Sequence, residues 1–154
     1  MMIQVRSTPQ AHIRADQVGD WWFTRLSIVV HVLETMSPES QLAVAIHELV
    51  EAYLCREHGV SDKAVVAFDE QYEKERKEGK HSSADEPGDD PAAPYREEHR
   101  AATMVEKAVC EALGLSWQEH EQWLQELEEN HQKMESPAPS PAEPPEPPLQ
   151  DVPD

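Results

Sequence analysis

One stretch of this 154-residue chain concentrates residue types that do chemistry: residues 42–55, LAVAIHELVEAYLC. Its polar side chains are His47, Glu48, Glu51 and the Tyr53 hydroxyl, and every other position is apolar. Apolar residues on all sides of a helical repeat predict a helix buried on all sides. A carboxylate taken out of water is costly unless it is paired, hydrogen-bonded or bound to a cation. Glu48 and Glu51 therefore need compensation. His47 and Glu51 are four residues apart, so their side chains leave one face a turn apart. An imidazole and a carboxylate at that spacing can share one ion at about 2.0 to 2.2 Å each, the distances zinc takes. Glu48 points about 100° around the helix, off that face, where it can act as a base rather than a ligand.

The third ligand must come from another element. His99 is the first candidate: it lies one turn before Ala102, just past the Pro94-Tyr95 corner. Asp69 is the second, four residues after Val65 at the edge of an apolar stripe. Glu106, two turns after His99, would hold that imidazole in orientation. The expected ion is a divalent metal, zinc first, with manganese or iron as alternatives. His31 reads as an ordinary strand histidine. Glu70, Glu73, Glu75 and Glu78, interleaved with Lys74, Arg76 and Lys77, read as a solvated face, and Asp85, Glu86, Asp89 and Asp90 as a solvated loop, with a second cation site as the alternative.

These residues need elements to hold them. Residues 2–6, 20–24 and 26–33 are rich in aromatic and β-branched residues and predict strands, the last two as a hairpin turning at Thr24-Arg25. Ser37-Pro38-Glu39 is a helix start, with Gly59 as the stop near residue 58. A second helix runs over about residues 61–78 with Ala64, Val65, Phe68 and Tyr72 inward. A third covers about 94–113, with Ala102, Val105, Ala108, Val109 and Ala112 inward. Ser116 and Glu119 form a capping box for a fourth that buries Trp117, Trp123, Leu124 and Leu127. The expected fold is α+β and mainly helical, a small N-terminal antiparallel sheet or hairpin followed by about four helices.

A strand followed by a helix reading Ala45-Ile-His-Glu-Leu-Val-Glu51 resembles the minimal core of zincin-like metalloproteases. More narrowly, the chain is similar to small uncharacterised phage proteins with an H-E-L-V-E-A helix. In those, a Gly-Asp-Trp and a Gly-Asp-x-Pro-x-Ala-Pro-Tyr-x-x-x-His segment recur. Here they stand as Gly19-Asp-Trp21 and Gly88-Asp-Asp-Pro-Ala-Ala-Pro-Tyr-Arg-Glu-Glu-His99. The resemblance covers roughly residues 1–117. The zincin likeness implies that Glu48 occupies the place of the general base in the H-E-x-x-H motif. The departure is Glu51, where the motif has a second histidine. A carboxylate is an acceptable ligand, but its charge lowers the Lewis acidity of the ion.

Composition bounds the rest. The net charge of −18, from 31 acidic and 13 basic residues, repels phosphate backbones and anionic lipid, so neither nucleic acid nor membrane is expected as a partner. Cys55 and Cys110 form no C-x-x-C pair and read as buried free thiols. The N-terminal residues lack the pattern of a signal peptide, and a cytoplasmic location is expected, the host cytoplasm for a phage protein. The chain divides into one zincin-like domain, residues 1–133, and a Pro-rich acidic tail, 134–154, expected to be disordered. Residues 77–94 are a long loop dense in Gly, Pro, Ser and Asp.

The function expected from these residues is metal-dependent hydrolysis. His47, Glu51 and either His99 or Asp69 would hold the ion. Glu48 would deprotonate a water polarised by it, for attack on an amide or related carbonyl, a peptide among them. One alternative is a metal-stabilised, non-enzymatic interaction protein. Another is a MazG-like nucleotide pyrophosphatase, whose E-x-x-E pairs bind magnesium, with Glu48/Glu51 and Glu70/Glu73 at that spacing. No recognisable motif encodes the substrate or the oligomeric state.

Overall fold

A computed structural model describes residues 1–14, 17–82 and 84–135. The expectation of a tail falls outside them, apart from residues 134 and 135, which close the last helix. The architecture is α+β, with a three-stranded sheet at the N-terminal end and four helices. The strands are β1 (Met2–Thr8), β2 (Gly19–Phe23) and β3 (Ser27–Leu33), in the order β1-β3-β2. β2 and β3 form the expected antiparallel hairpin, with Trp21 opposite Val30. β1 joins the other side of β3 in parallel, Val5 opposite Val30, so the sheet is mixed. A parallel partner leaves no hairpin signal in the sequence, because the connection does not turn back between adjacent strands.

β3 is the central strand and is buried on both faces. Ile28, Val30, Val32 and Leu33 are fully buried, and Val29 is buried. Its nearly continuous apolar run is the pattern that two covered faces require. Ile28→Ala is expected to cost about 2 to 5 kcal/mol, the range for truncating a buried isoleucine. Urea denaturation measures it, and a loss below about 1 kcal/mol would contradict the central placement.

The helices are α1 (Pro38–His58), α2 (Asp62–Lys77), α3 (Arg96–Leu113) and α4 (Trp117–Glu135). Ser37 caps α1 by accepting from the Ser40 N–H at 3.2 Å, and Gly59 closes it at φ 77°. α1 packs on the sheet and on α3. Contacts between residues 47 and 106, 51 and 99, and 58 and 98 show that α1 and α3 run antiparallel. Fully buried small residues, Ala43, Ala52 and Cys55 on α1 and Ala102 and Cys110 on α3, let elements approach closely. Both cysteines are buried and free.

Three expectations about helix faces need correction. α1 is not buried on all sides, since Leu42 and Tyr53 are exposed. On α3, Val105, Ala108 and Ala112 face outward, and the buried row is Glu98, His99, Ala102, Glu106 and Cys110. That row has helical spacing, but three of its five members are glutamate or histidine. A search for apolar stripes selects the wrong face when the buried face carries the site. A third correction concerns α2, where Ala64 is exposed and Asp69 takes a buried position between Val65 and Tyr72. On α4, Trp123, Leu124 and Leu127 are partly buried against the core, Trp117 carries Lys107 over its ring, and His120 is the deeply buried residue. Among the described residues no helix is long and apolar enough to cross a membrane.

Candidate metal centre

α1 and α3 bring His47, Glu51 and His99 together. One ligand atom from each lies within 4.8 Å of the other two. Glu51 Oε2 is the point of convergence. It sits 3.6 Å from His47 Nε2 and 2.9 Å from His99 Nδ1. Ligand atoms about 3.4 Å apart are what tetrahedral bonds of about 2.0 to 2.1 Å require. Here the shorter of the two contacts is a hydrogen bond, and it must open by a few tenths of an ångström to admit an ion.

Each of the three also has its other polar atom held from outside. His47 Nδ1 meets Glu106 Oε2 at 2.8 Å. His99 Nε2 meets Glu86 Oε2 at 3.0 Å. Glu51 Oε1 accepts from the Trp21 indole N–H at 2.8 Å. A carboxylate on the outer ring nitrogen fixes the tautomer that leaves the inner nitrogen free to ligate. The inner atoms, Nε2 of His47, Nδ1 of His99 and Oε2 of Glu51, face one another. Two imidazoles and one carboxylate form a donor set used for catalytic zinc with one position open, and the same set suits iron(II).

The two short motifs that accompany the helix serve this centre. In Gly19-Asp20-Trp21, β2 passes directly over α1. A Cβ at residue 19 would come within 2.5 Å of Glu48 Oε1, so any other residue there would displace that carboxylate. Asp20 binds the Arg14 guanidinium at 2.5 Å. Trp21 holds Glu51. In the second motif a Cβ at Gly88 would overlap the His99 ring. Tyr95 donates its hydroxyl to Asp69 at 2.6 Å and heads α3 one turn before His99. Neither Gly19 nor Gly88 has positive φ, so space is what demands glycine there. Gly88→Ala is expected to displace the His99 ring and weaken divalent-metal binding about tenfold or more, with little change in unfolding temperature. Titration with Co²⁺ and a thermal melt measure the two, and unchanged affinity would remove Gly88 from the site.

The electrostatics follow from crowding these groups out of water. Burial pushes the Glu51 carboxyl up, but the close approach of the His47 ring and the hydrogen bond from His99 outweigh it and bring it to about 2. Glu106 is brought to about 2 in the same way by His120 and His47. Burial pulls His99 down, and its bonds to Glu51 and Glu86 overcome that, raising it to about 10. His47 is likewise lifted well above 6.5 by Glu106 and Glu51 against burial. Glu48 is different. Burial raises it to about 8, and the nearby His47 charge only partly opposes this.

The predicted residues are therefore placed as follows. His47, Glu51 and His99 converge, and Glu48 lines the same cleft, a cavity of about 1140 Å³. Glu106 is buried and orients an imidazole, but that of His47 rather than His99. The antiparallel crossing of α1 and α3 is the reason. Asp69 is not brought into the ligand group. Its carboxyl accepts from Tyr95, and Arg14 lies 4.0 Å away. Glu86, read as loop, reaches His99, although its side chain is half-exposed. Trp21, Glu86 and His120 were not foreseen. The first two sit in or beside the two short motifs, which was the available signal. His31 is packed against Trp22, away from the cleft. Residues 84–89 of the long loop line the cleft.

Comparison with protein-family models, curated proteins and solved structures finds no match to this chain.

Proposed function

We propose that this protein is a metal-dependent hydrolase of zincin-like type, with His47, Glu51 and His99 as ligands and Glu48 as general base. The observation that carries the reading is the outer restraint on all three ligands by Glu106, Trp21 and Glu86. A bound divalent ion would supply Lewis acidity, polarising a water and a substrate carbonyl.

The chain's own residues do the rest. Glu106 and Glu86 orient the imidazoles, and Trp21 keeps one oxygen of Glu51 occupied so that the other points inward. Glu48, on the next position round the helix and open to the cleft, accepts a proton from the attacking water and returns it to the leaving amine. Its carboxyl has no hydrogen-bond partner among the described residues to compete for that proton. Ala84 to Asp89 border the cleft on the side of His99.

A metal-stabilised interaction protein would be expected to close the site with a fourth protein ligand. Among the described residues the group around Glu51 has three. The pyrophosphatase reading calls for an all-oxygen magnesium site, whereas two imidazoles meet Glu51, and Glu70 and Glu73 lie outside the ligand group around Glu51. The test is hydrolysis of a panel of quenched fluorescent peptides by metal-loaded wild-type protein and by Glu48→Gln at equal metal content. Absence of turnover by loaded wild type across peptide, ester and amide substrates would leave no support for the hydrolase reading.

A further inference from the structure

The buried polar network does not stop at Glu106. Its second oxygen, Oε1, meets His120 Nε2 at 3.0 Å. His120 Nδ1 in turn meets the Ser40 hydroxyl at 3.3 Å, and Ser40 lies 3.2 Å from the Ser37 hydroxyl that caps α1. The chain Ser37–Ser40–His120–Glu106–His47 thus begins and ends on α1, passing through α4 and α3. His120 is buried, with 1 % of its side chain exposed. Among the described residues of α4 it is the most deeply buried polar group, beside Trp123, Leu124 and Leu127, which are only partly buried.

Serine, histidine and glutamate in hydrogen-bonded order also describe a nucleophilic triad. Here neither Ser40 nor His120 lines the cleft, and the Ser40 hydroxyl is enclosed between Ser37 and His120. No substrate can reach it, so the chain positions rather than reacts.

We propose that His120 is a positioning residue for the metal centre: by occupying Glu106 Oε1 it aims Oε2 at His47 Nδ1, so that docking of α4 sets the affinity of a ligand group that His120 itself does not touch. The inference rests on the metal reading above. The physical reason is that a carboxylate with one oxygen pinned has one orientation left for the other. Glu106 with a free oxygen can rotate or rebind and release the His47 ring. Outer partners of metal ligands commonly change affinity by about 10- to 100-fold when removed. His120 acts one bond further out, and the lower part of that range is expected, about tenfold.

The test compares His120→Gln with His120→Met in the full chain. The two side chains are similar in length, but only glutamine can donate from the position of Nε2. Co²⁺ alone is the probe, read by its visible absorption and by titration, with thermal melts of the metal-free proteins alongside. The expected result is about tenfold weaker Co²⁺ binding and an altered cobalt spectrum in His120→Met, with both returned towards wild type in His120→Gln. A purely structural role would lower both melting temperatures and leave affinity and spectrum unchanged in folded protein, which would overturn the proposal. Wild type that takes up no Co²⁺ would overturn the metal reading and this proposal with it. Normal uptake by wild type and His120→Met alike would overturn this proposal alone. The unsubstituted protein provides a second measurement that does not depend on a variant folding. On Zn²⁺ loading, the ring ¹⁵N resonances of His120 must shift, because Glu106 is shared between the two imidazoles, and unmoved resonances contradict the coupling.

Discussion

Protein purified without chelator is expected to carry about one divalent transition ion per chain, and His47→Ala to carry none. The argument is geometric. Nε2 of His47, Oε2 of Glu51 and Nδ1 of His99 converge within 4.8 Å, and removing any one leaves a two-ligand site. His99→Ala and Glu51→Ala should therefore lose the ion as His47→Ala does. The effect in Glu51→Ala should be large because Oε2 is the atom that faces both imidazoles. Asp69→Asn should retain the ion, since Asp69 is engaged with Tyr95. Metal-free protein should still fold: without an ion, His99 pairs with Glu51 and His47 with Glu106, so no buried charge is stranded. Added metal should then raise stability by mass action, by about 4 kcal/mol at a thousandfold excess over Kd. Elemental analysis measures amount and identity together. Folded wild type that is metal-free and takes up none on addition of zinc, manganese or iron would sink the metal centre.

Glu48→Gln should keep its ion and lose its activity by roughly 10² or more, the usual cost of losing a general base. Glutamine keeps the volume of glutamate, so the tight fit over Gly19 is preserved. It cannot accept a proton. Because Glu48 is outside the ligand group, metal content should match wild type. The three readings of this chain separate on this variant and His47→Ala together. The hydrolase loses turnover in Glu48→Gln and metal in His47→Ala. A structural metal protein has no turnover to lose. A magnesium pyrophosphatase would lose metal in Glu48→Gln and barely notice His47→Ala. That last pattern would reverse the roles assigned here.

The sequence alone determined which helix carries the candidate site. Three polar residues inside an otherwise apolar helical run mark a buried site, and the i, i+4 spacing of His47 and Glu51 picks out the ligand pair from Glu48. Such readings are local: they depend on the period of one element and on the cost of burying charge. The helix caps at Ser37 and Gly59 and the β2–β3 hairpin were legible for the same reason. What only the tertiary structure decided is which distant residues complete the site. His99 and Asp69 were both open as third ligand, and the antiparallel packing of α1 on α3 brings His99 to Glu51 and leaves Asp69 with Tyr95. The same packing reassigns Glu106 from His99 to His47, 59 positions away in the chain. It also decided the rest of the inner face of α3: His99 and Ala102 were read as inward, but Glu98 and Glu106 look solvent-facing until their partners are known. Gly19 and Gly88 show the limit from the other side. Their sequence context marked them, but the reason for glycine is a steric approach between elements, and no periodicity within one element encodes the distance to the next.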